Sequence, residues 1–132
     1  MSQSDMIADF LTRVRNASKA GLRFADVRWS KIVQDVAEVL QESMFIEHIL
    51  VRNDGVPATM RVFLKYGAKR KPIIRGLRRV SSSGRRRYVT CDKIPSIMNG
   101  LGVAVVSTSR GVMSGKNAHE KRVGGELLCY AW

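Results

Sequence analysis

Residues 101–113 read LGVAVVSTSRGVM, and this stretch decides how the second half of the chain is built. The apolar, valine-rich run 103–106 predicts a strand, because β-branched side chains pack well on a pleated surface. Ser107-Thr108-Ser109-Arg110-Gly111 then interrupts it, before Val112 and Met113 turn apolar again. An ordinary turn draws on Asn, Asp, Gly or Pro. Three small hydroxyls, a cation and a closing glycine describe instead a strand with a chemically equipped tip.

Outward from that tip, short strands and short helices follow one another. Downstream, a helix is expected over roughly 115–121, and Gly124-Gly125 leads into a last strand, ELLCYAW. Upstream, Asp92 is placed to cap a short helix, KIPSIMN, with Pro95 in the first turn where no ladder bond is lost, and Asn99 and Gly100 to stop it. Before it, IIRGLRRV and RRRYVT predict two strands joined as a hairpin by SSSG. GAKRKP, residues 67–72, is expected to be an exposed linker. Ahead of the linker, Ser4 is placed to cap a helix running to about Ser18, with Met6, Ile7, Phe10, Leu11, Val14 and Ala17 at helical spacing. LRFADVRW predicts a strand, and Ser30 opens a second helix, KIVQDVAEVLQES. IEHILVRN and ATMRVFLKY predict a hairpin closed by DGVP. The expected class is α+β with two small α/β lobes: residues 1–66 as α-β-α-β-β, and residues 73–132 as mainly β with short helices.

At 132 residues and 45% apolar, the chain suits one domain or two lobes around a real core. No stretch approaches the roughly 20 apolar residues of a membrane span. The opening MSQSDMIADF has no basic-then-apolar leader, so a cytoplasmic protein without membrane association is expected. Cys91 and Cys129 are far apart and lack a CxxC or Cys/His partner, which favours reduced thiols over a disulfide or a zinc site. GxGxxG and Walker patterns are absent, and no cofactor or metal is expected.

Charge is the strongest signal. The net charge is +12, and it is segregated: residues 1–66 carry nine basic and eight acidic side chains, residues 67–132 fourteen and three. Such a field attracts a polyanion, and nucleic acid is the commonest one. Nine cations fall between Lys69 and Arg87 with no carboxylate among them. Edge strands use cations to deter pairing, which explains two or three lysines. It does not explain six arginines flanking one turn, since arginine is the phosphate-pairing cation. Arg85, Arg86 and Arg87 are therefore candidate phosphate contacts, and Tyr88 is either a ring for a base or ribose or a core aromatic.

The tip discriminates between nucleic acids. Small hydroxyls that both donate and accept match the 2′-hydroxyls and base edges of the wide RNA minor groove. A DNA reader more naturally carries a recognition helix with Arg, Asn or Gln. An enzyme is not expected. Ser107 or Ser109 as nucleophile has only His119 and Glu120 to draw on, and there is no GxSxG elbow. The alternatives are an RNA-processing enzyme or accessory subunit using the Ser-Thr-Ser loop, and a protein–protein module docking through the acidic first helix.

NGLGVAVVSTSRGVMSGKNAHEKRVGGELLCYAW, together with DMIADFLTRVRNA and WSKIVQDVAEVLQESMFI, resembles the bacterial-type family of small-subunit ribosomal protein number eight, in order and over essentially the whole chain. The resemblance implies two α/β lobes in tight contact and a monomer outside the ribosome. It implies a structural protein that binds an irregular stem in the central domain of 16S ribosomal RNA early in assembly of the subunit platform. Ser107, Thr108 and Ser109, with Arg110 and Gly111, would touch the distorted minor groove, and Thr108, taken as the middle of the tip, would matter most. Tyr88 and Glu126 would line the same site, while Ser30 and Lys31 would meet a neighbouring RNA helix. Implied partners are small-subunit proteins five and twelve and, as a repressor, the messenger of its own operon. Met6 and Trp29 depart from the family's usual residues, and SSSGRRRY is more basic than its usual counterpart.

Overall fold

A computed structural model describes residues 5–53 and 55–132. The first helix, α1 (Met6–Lys19), is capped by Asp5, whose Oδ1 accepts from the Ile7 and Ala8 amides, both at 3.1 Å. Ser4, the expected cap, and Asp54 of the DGVP turn lie outside the described residues. Ile7, Phe10, Leu11, Val14, Ala17 and Ser18 form the buried stripe of α1, at the three- and four-residue spacing that keeps them on one face. β1 (Phe24–Arg28) leads to α2 (Lys31–Glu42), capped by Ser30 Oγ accepting from the Val33 amide at 3.2 Å. β2 (Ile46–Arg52) and β3 (Thr59–Leu64) complete a three-stranded antiparallel sheet in the order β1-β3-β2. The first lobe is α-β-α-β-β, as expected.

Segment 67–72 is exposed but is more than a linker. The Gly67 amide bonds the Lys71 carbonyl at 2.8 Å, and the Arg70 guanidinium reaches the Gly21 carbonyl at 3.3 Å, tying the turn back to the first lobe. The second sheet has β6 (Val103–Thr108) and β8 (Gly125–Ala131) at its centre, β7 (Gly111–Ser114) outside β6, and β4 (Leu77–Arg79) and β5 (Tyr88–Val89) outside β8. A short helix, α3 (Gly115–Glu120), follows β7.

Three expectations need correction. IIRGLRRV and RRRYVT do not pair as a hairpin. β4 pairs with Cys129–Ala131 of β8 and β5 with Gly125 and Glu126, so both lie in succession along β8. The loop between them is held by the buried Ser81, whose Oγ accepts from the Arg87 amide at 2.9 Å, and β8 offered more backbone partners than the two short strands could offer each other. KIPSIMN is not a helix. Ile94 is extended (φ −68°, ψ 123°), because the Pro95 ring disfavours helical backbone in the residue before it. Asp92 instead accepts from Thr90 Oγ1 at 2.6 Å, and Ile94 and Ile97 pack on Ala104, Val106 and Leu127. Finally, Gly111, expected to close the loop, instead opens the strand Gly111–Ser114, which pairs with β6.

One hydrophobic core joins the lobes: Phe10 and Val14 of α1 and Val36 and Leu40 of α2 share it with Val103, Val105 and Cys129 of the second sheet. The other face of that sheet is covered by Val80, Val89, Ile94 and Ile97, so residues 103–106 of β6 are buried on both sides. That double burial is why VAVV reads as an unbroken apolar run. The interface is further fixed by the Asp5–Arg79 ion pair at 2.9 Å and by Arg15 donating to the Leu77 carbonyl.

Candidate nucleic-acid interface

The tip of the β6–β7 hairpin is tighter than a five-residue loop. Thr108 pairs with Gly111, leaving only Ser109 and Arg110 at the apex, both exposed. Thr108 Oγ1 accepts from the Arg110 amide at 3.0 Å and donates to the Gly111 carbonyl at 2.7 Å. Its proton and one lone pair are committed inside the turn, so Thr108 shapes the apex that Ser109 occupies and keeps one lone pair with which to accept from a ligand. Gly111 has φ +111° with open space where a Cβ would stand, a conformation that L side chains rarely adopt.

Behind the apex, three strands bring the other candidates together. Tyr88 is opposite Glu126, and Glu126 is opposite Ser107, in the antiparallel registers of β5, β8 and β6. Directly opposed residues project to the same face, so Tyr88, Glu126 and Ser107 form one cross-strand row. Thr108, one residue on, points to the other face. Two glycines allow this convergence. A Cβ on Gly125 would fall 2.0 Å from the Ser107 carbonyl oxygen, and one on Gly124 would fall 2.4 Å from that of Val89. Glycine inside a strand signals close backbone approach, and the GGE step carried that signal unread.

Tyr88 is 69% exposed, which removes the core alternative. Glu126 is bound by Arg86 at 3.0 Å, and this hydrogen bond holds the Arg86 guanidinium above its ordinary pKa. Arg85 and Arg87 are exposed on the same loop. Ser107 and Glu126 of the row open on a cleft of 440 Å³ that Arg86, Arg79, Ser83 and Ser30 also line. Ser30 therefore belongs to the same cleft as Ser107, and the N-termini of both long helices, positive ends of their dipoles, open there. Lys31 is exposed beside it and paired with Asp35 at 2.8 Å, which raises the Lys31 pKa. Arg79 and Asp5, absent from the sequence-level candidates, form the wall of this cleft. Burial works to raise the Asp5 carboxyl, but hydrogen bonds from Arg79 and from the Ala8 and Ile7 amides outweigh it and hold the group below its ordinary value.

Ser107 does not share a cavity with His119 or Glu120. His119 lines a different cavity, with Ile94 and Gly115, and its Nδ1 is 3.2 Å from the Cys91 carbonyl. Both cysteines are free, and burial pushes the Cys129 thiol up to about 12, far from a nucleophile's range. Among the described residues there is no group of three His, Cys, Asp or Glu that could hold a metal ion, and no helix is long and apolar enough to cross a membrane.

Residues 5–132 match the family model described as Ribosomal protein S8. The chain is 50% identical over 133 residues to a protein of Protochlamydia amoebophila named Small ribosomal subunit protein uS8, covering 100% of both chains. It is 46% identical over 132 residues, again covering 100% of both, to proteins of that name from Levilactobacillus brevis and Pediococcus pentosaceus.

Proposed function

The chain belongs to the ribosomal protein S8 family, a family of structural ribosomal proteins and not of enzymes, and from that premise we propose that it binds an irregular stem in the central domain of 16S ribosomal RNA as a constituent of the small subunit. One observation supports the reading above the others: Tyr88, Glu126 and Ser107 stand in a single cross-strand row between an arginine loop and a hydroxyl-bearing apex. The row is polar, uncharged at Ser107, and backed by fixed strands. It suits a groove whose 2′-hydroxyls and base edges both donate and accept.

Each residue then has a distinct task. Ser107 and Ser109 exchange hydrogen bonds with sugar and base edges, while Thr108 and Gly111 keep the apex in shape. Tyr88 lays its ring on a base or ribose. Glu126, steadied by Arg86, offers its remaining lone pairs to base amino groups. Arg85, Arg87 and Arg110 neutralise phosphates and set the register, the usual division between positioning and readout. Ser30, across the cleft, and Lys31 beside it meet the backbone of a neighbouring RNA helix. A messenger segment that reproduced the stem would be held the same way, which is the route to repression of the protein's own operon. Small-subunit proteins five and twelve are the proposed protein neighbours.

The test is binding to a transcript of the irregular stem and to a fully paired control. Removing a hydroxyl buried against RNA leaves its partner unsatisfied, at about 1–3 kcal/mol, or roughly 5- to 150-fold in affinity. Ser107→Ala and Ser109→Ala should each lose affinity in that range for the irregular stem and change the control little. Equal binding by wild type and both variants would refute the assignment.

A further inference from the structure

The three-stranded sheet has a second face. Its inner face, Ala25, Val27, Met60, Val62 and Leu64, is buried under α1 and α2. Alternation places the other residues outward, and the registers align them in rows across the sheet. The first row is Phe24, Phe63 and His48. Phe24 and Phe63 have ring centroids 5.9 Å apart, and His48 and Phe63 5.7 Å, in tilted contact. The second row is Asp26, Arg61 and Leu50, the third Arg28, Thr59 and Arg52. A shift of register between Ile46 and His48 is what brings the histidine opposite Phe63.

On the sheet face turned from the helices, an exposed His48 and half-buried Phe24 and Phe63 stand beside a Leu50 that is 47% exposed. Cations surround this group. Arg61 lies 3.9 Å over the Phe24 ring while bound to Asp26 through two hydrogen bonds, at 2.9 and 3.1 Å. Arg23 stands 6.0 Å from the Phe63 centroid at one end, and Arg28 and Arg52 flank Thr59 at the other, four residues along the strands or roughly 13 Å away.

We propose that this face is a second RNA-binding surface, which takes a short unpaired segment by stacking its bases on the Phe63 and His48 rings, next to the Phe24 ring that Arg61 covers, and pairing its phosphates with the flanking arginines. Flat rings accept any base, and arginines at both ends follow a backbone that crosses the rings, as on other sheet platforms that stack two or three bases. An acidic protein segment would use the arginines and leave the rings idle. Cross-strand packing already uses the rings and Arg61, which Asp26 and the Phe24 ring hold, but it does not call for cations at both ends of the row. The surface faces away from the helices, and none of its residues lines the Ser107 cleft.

The experiment is fluorescence anisotropy of an end-labelled, unstructured ten-nucleotide RNA with the full chain at low and raised salt, beside binding of the irregular stem. His48→Ala, at an exposed position, and Phe63→Leu, which keeps apolar bulk, should each weaken the oligonucleotide by roughly 5- to 150-fold. Both should leave the stem within twofold. A Ser107→Ala, Ser109→Ala double variant should do the reverse, so failure at one surface is distinguishable from failure at the other. Oligonucleotide binding unchanged in both ring variants, or lost only with the hydroxyl variant, would overturn the proposal. So would binding that vanishes at raised salt in wild type and ring variants alike, since that is charge without stacking.

Discussion

Ser107 and Thr108 are neighbours with different work, and the difference follows from strand alternation. Ser107 faces Glu126 across the sheet, whereas Thr108 commits its hydroxyl proton to Gly111 and one lone pair to the Arg110 amide. Three hydroxyls in a row were legible in the sequence as one site, but which of them is free was not, because pairing across β6 and β7 decides it. Gly125 makes the sharpest residue-level prediction. Its Cβ would fall 2.0 Å from the Ser107 carbonyl oxygen, so Gly125→Ala must push β8 and β6 apart. The urea midpoint should fall by an equivalent of about 1–3 kcal/mol, and stem affinity should fall with it. Asp5 makes a pH prediction. Its carboxyl is held below its ordinary value in the fold, so its stabilisation is present above the unfolded value of about 4 and is lost as pH falls through the folded one. Acid unfolding of Asp5→Asn should therefore show a shallower loss of stability below about pH 4 than wild type; equal slopes would contradict this.

Helix ends show how local chemistry and tertiary demand divide. α1, α2 and α3 all close with the same two bonds, from the residue in the left-handed conformation and from the one after it. The left-handed positions are Gly21, Met44 and Arg122. Only the first announces itself in sequence. Met44 is 62% exposed at φ +72°, a conformation that costs an L side chain about 1–2 kcal/mol. Met44→Gly should raise the stability to urea by about 1 kcal/mol without altering RNA binding. The long helices and the β2–β3 hairpin were legible because their periodicity and caps are local. β4, β5 and the 91–100 segment were not. Their partners are β8 and the apolar patch of Val106 and Leu127, both brought near only by folding.

At the scale of the whole molecule, a shared core makes two sheets one frame, and the proposed function divides recognition on that frame into two kinds. The charge of +12 attracts RNA at long range and without regard to sequence. In the proposed reading the Ser107–Glu126–Tyr88 row acts at contact and carries no net attraction of its own. Charge segregation was plain in the sequence; the convergence of Ser30 with Ser107 on one cleft was not, since it depends on how the lobes dock. These two contributions separate in a salt titration of stem binding by wild type, by Ser107→Ala with Ser109→Ala, and by Arg85→Gln with Arg86→Gln and Arg87→Gln. The arginine variant should weaken all RNA about equally and lower the slope of log affinity against log salt by roughly 0.7–0.9 for each phosphate it no longer neutralises. The hydroxyl variant should keep the wild-type slope and lose its preference for the irregular stem over the paired control. A hydroxyl variant that retains that preference in full would contradict readout by the β6–β7 tip.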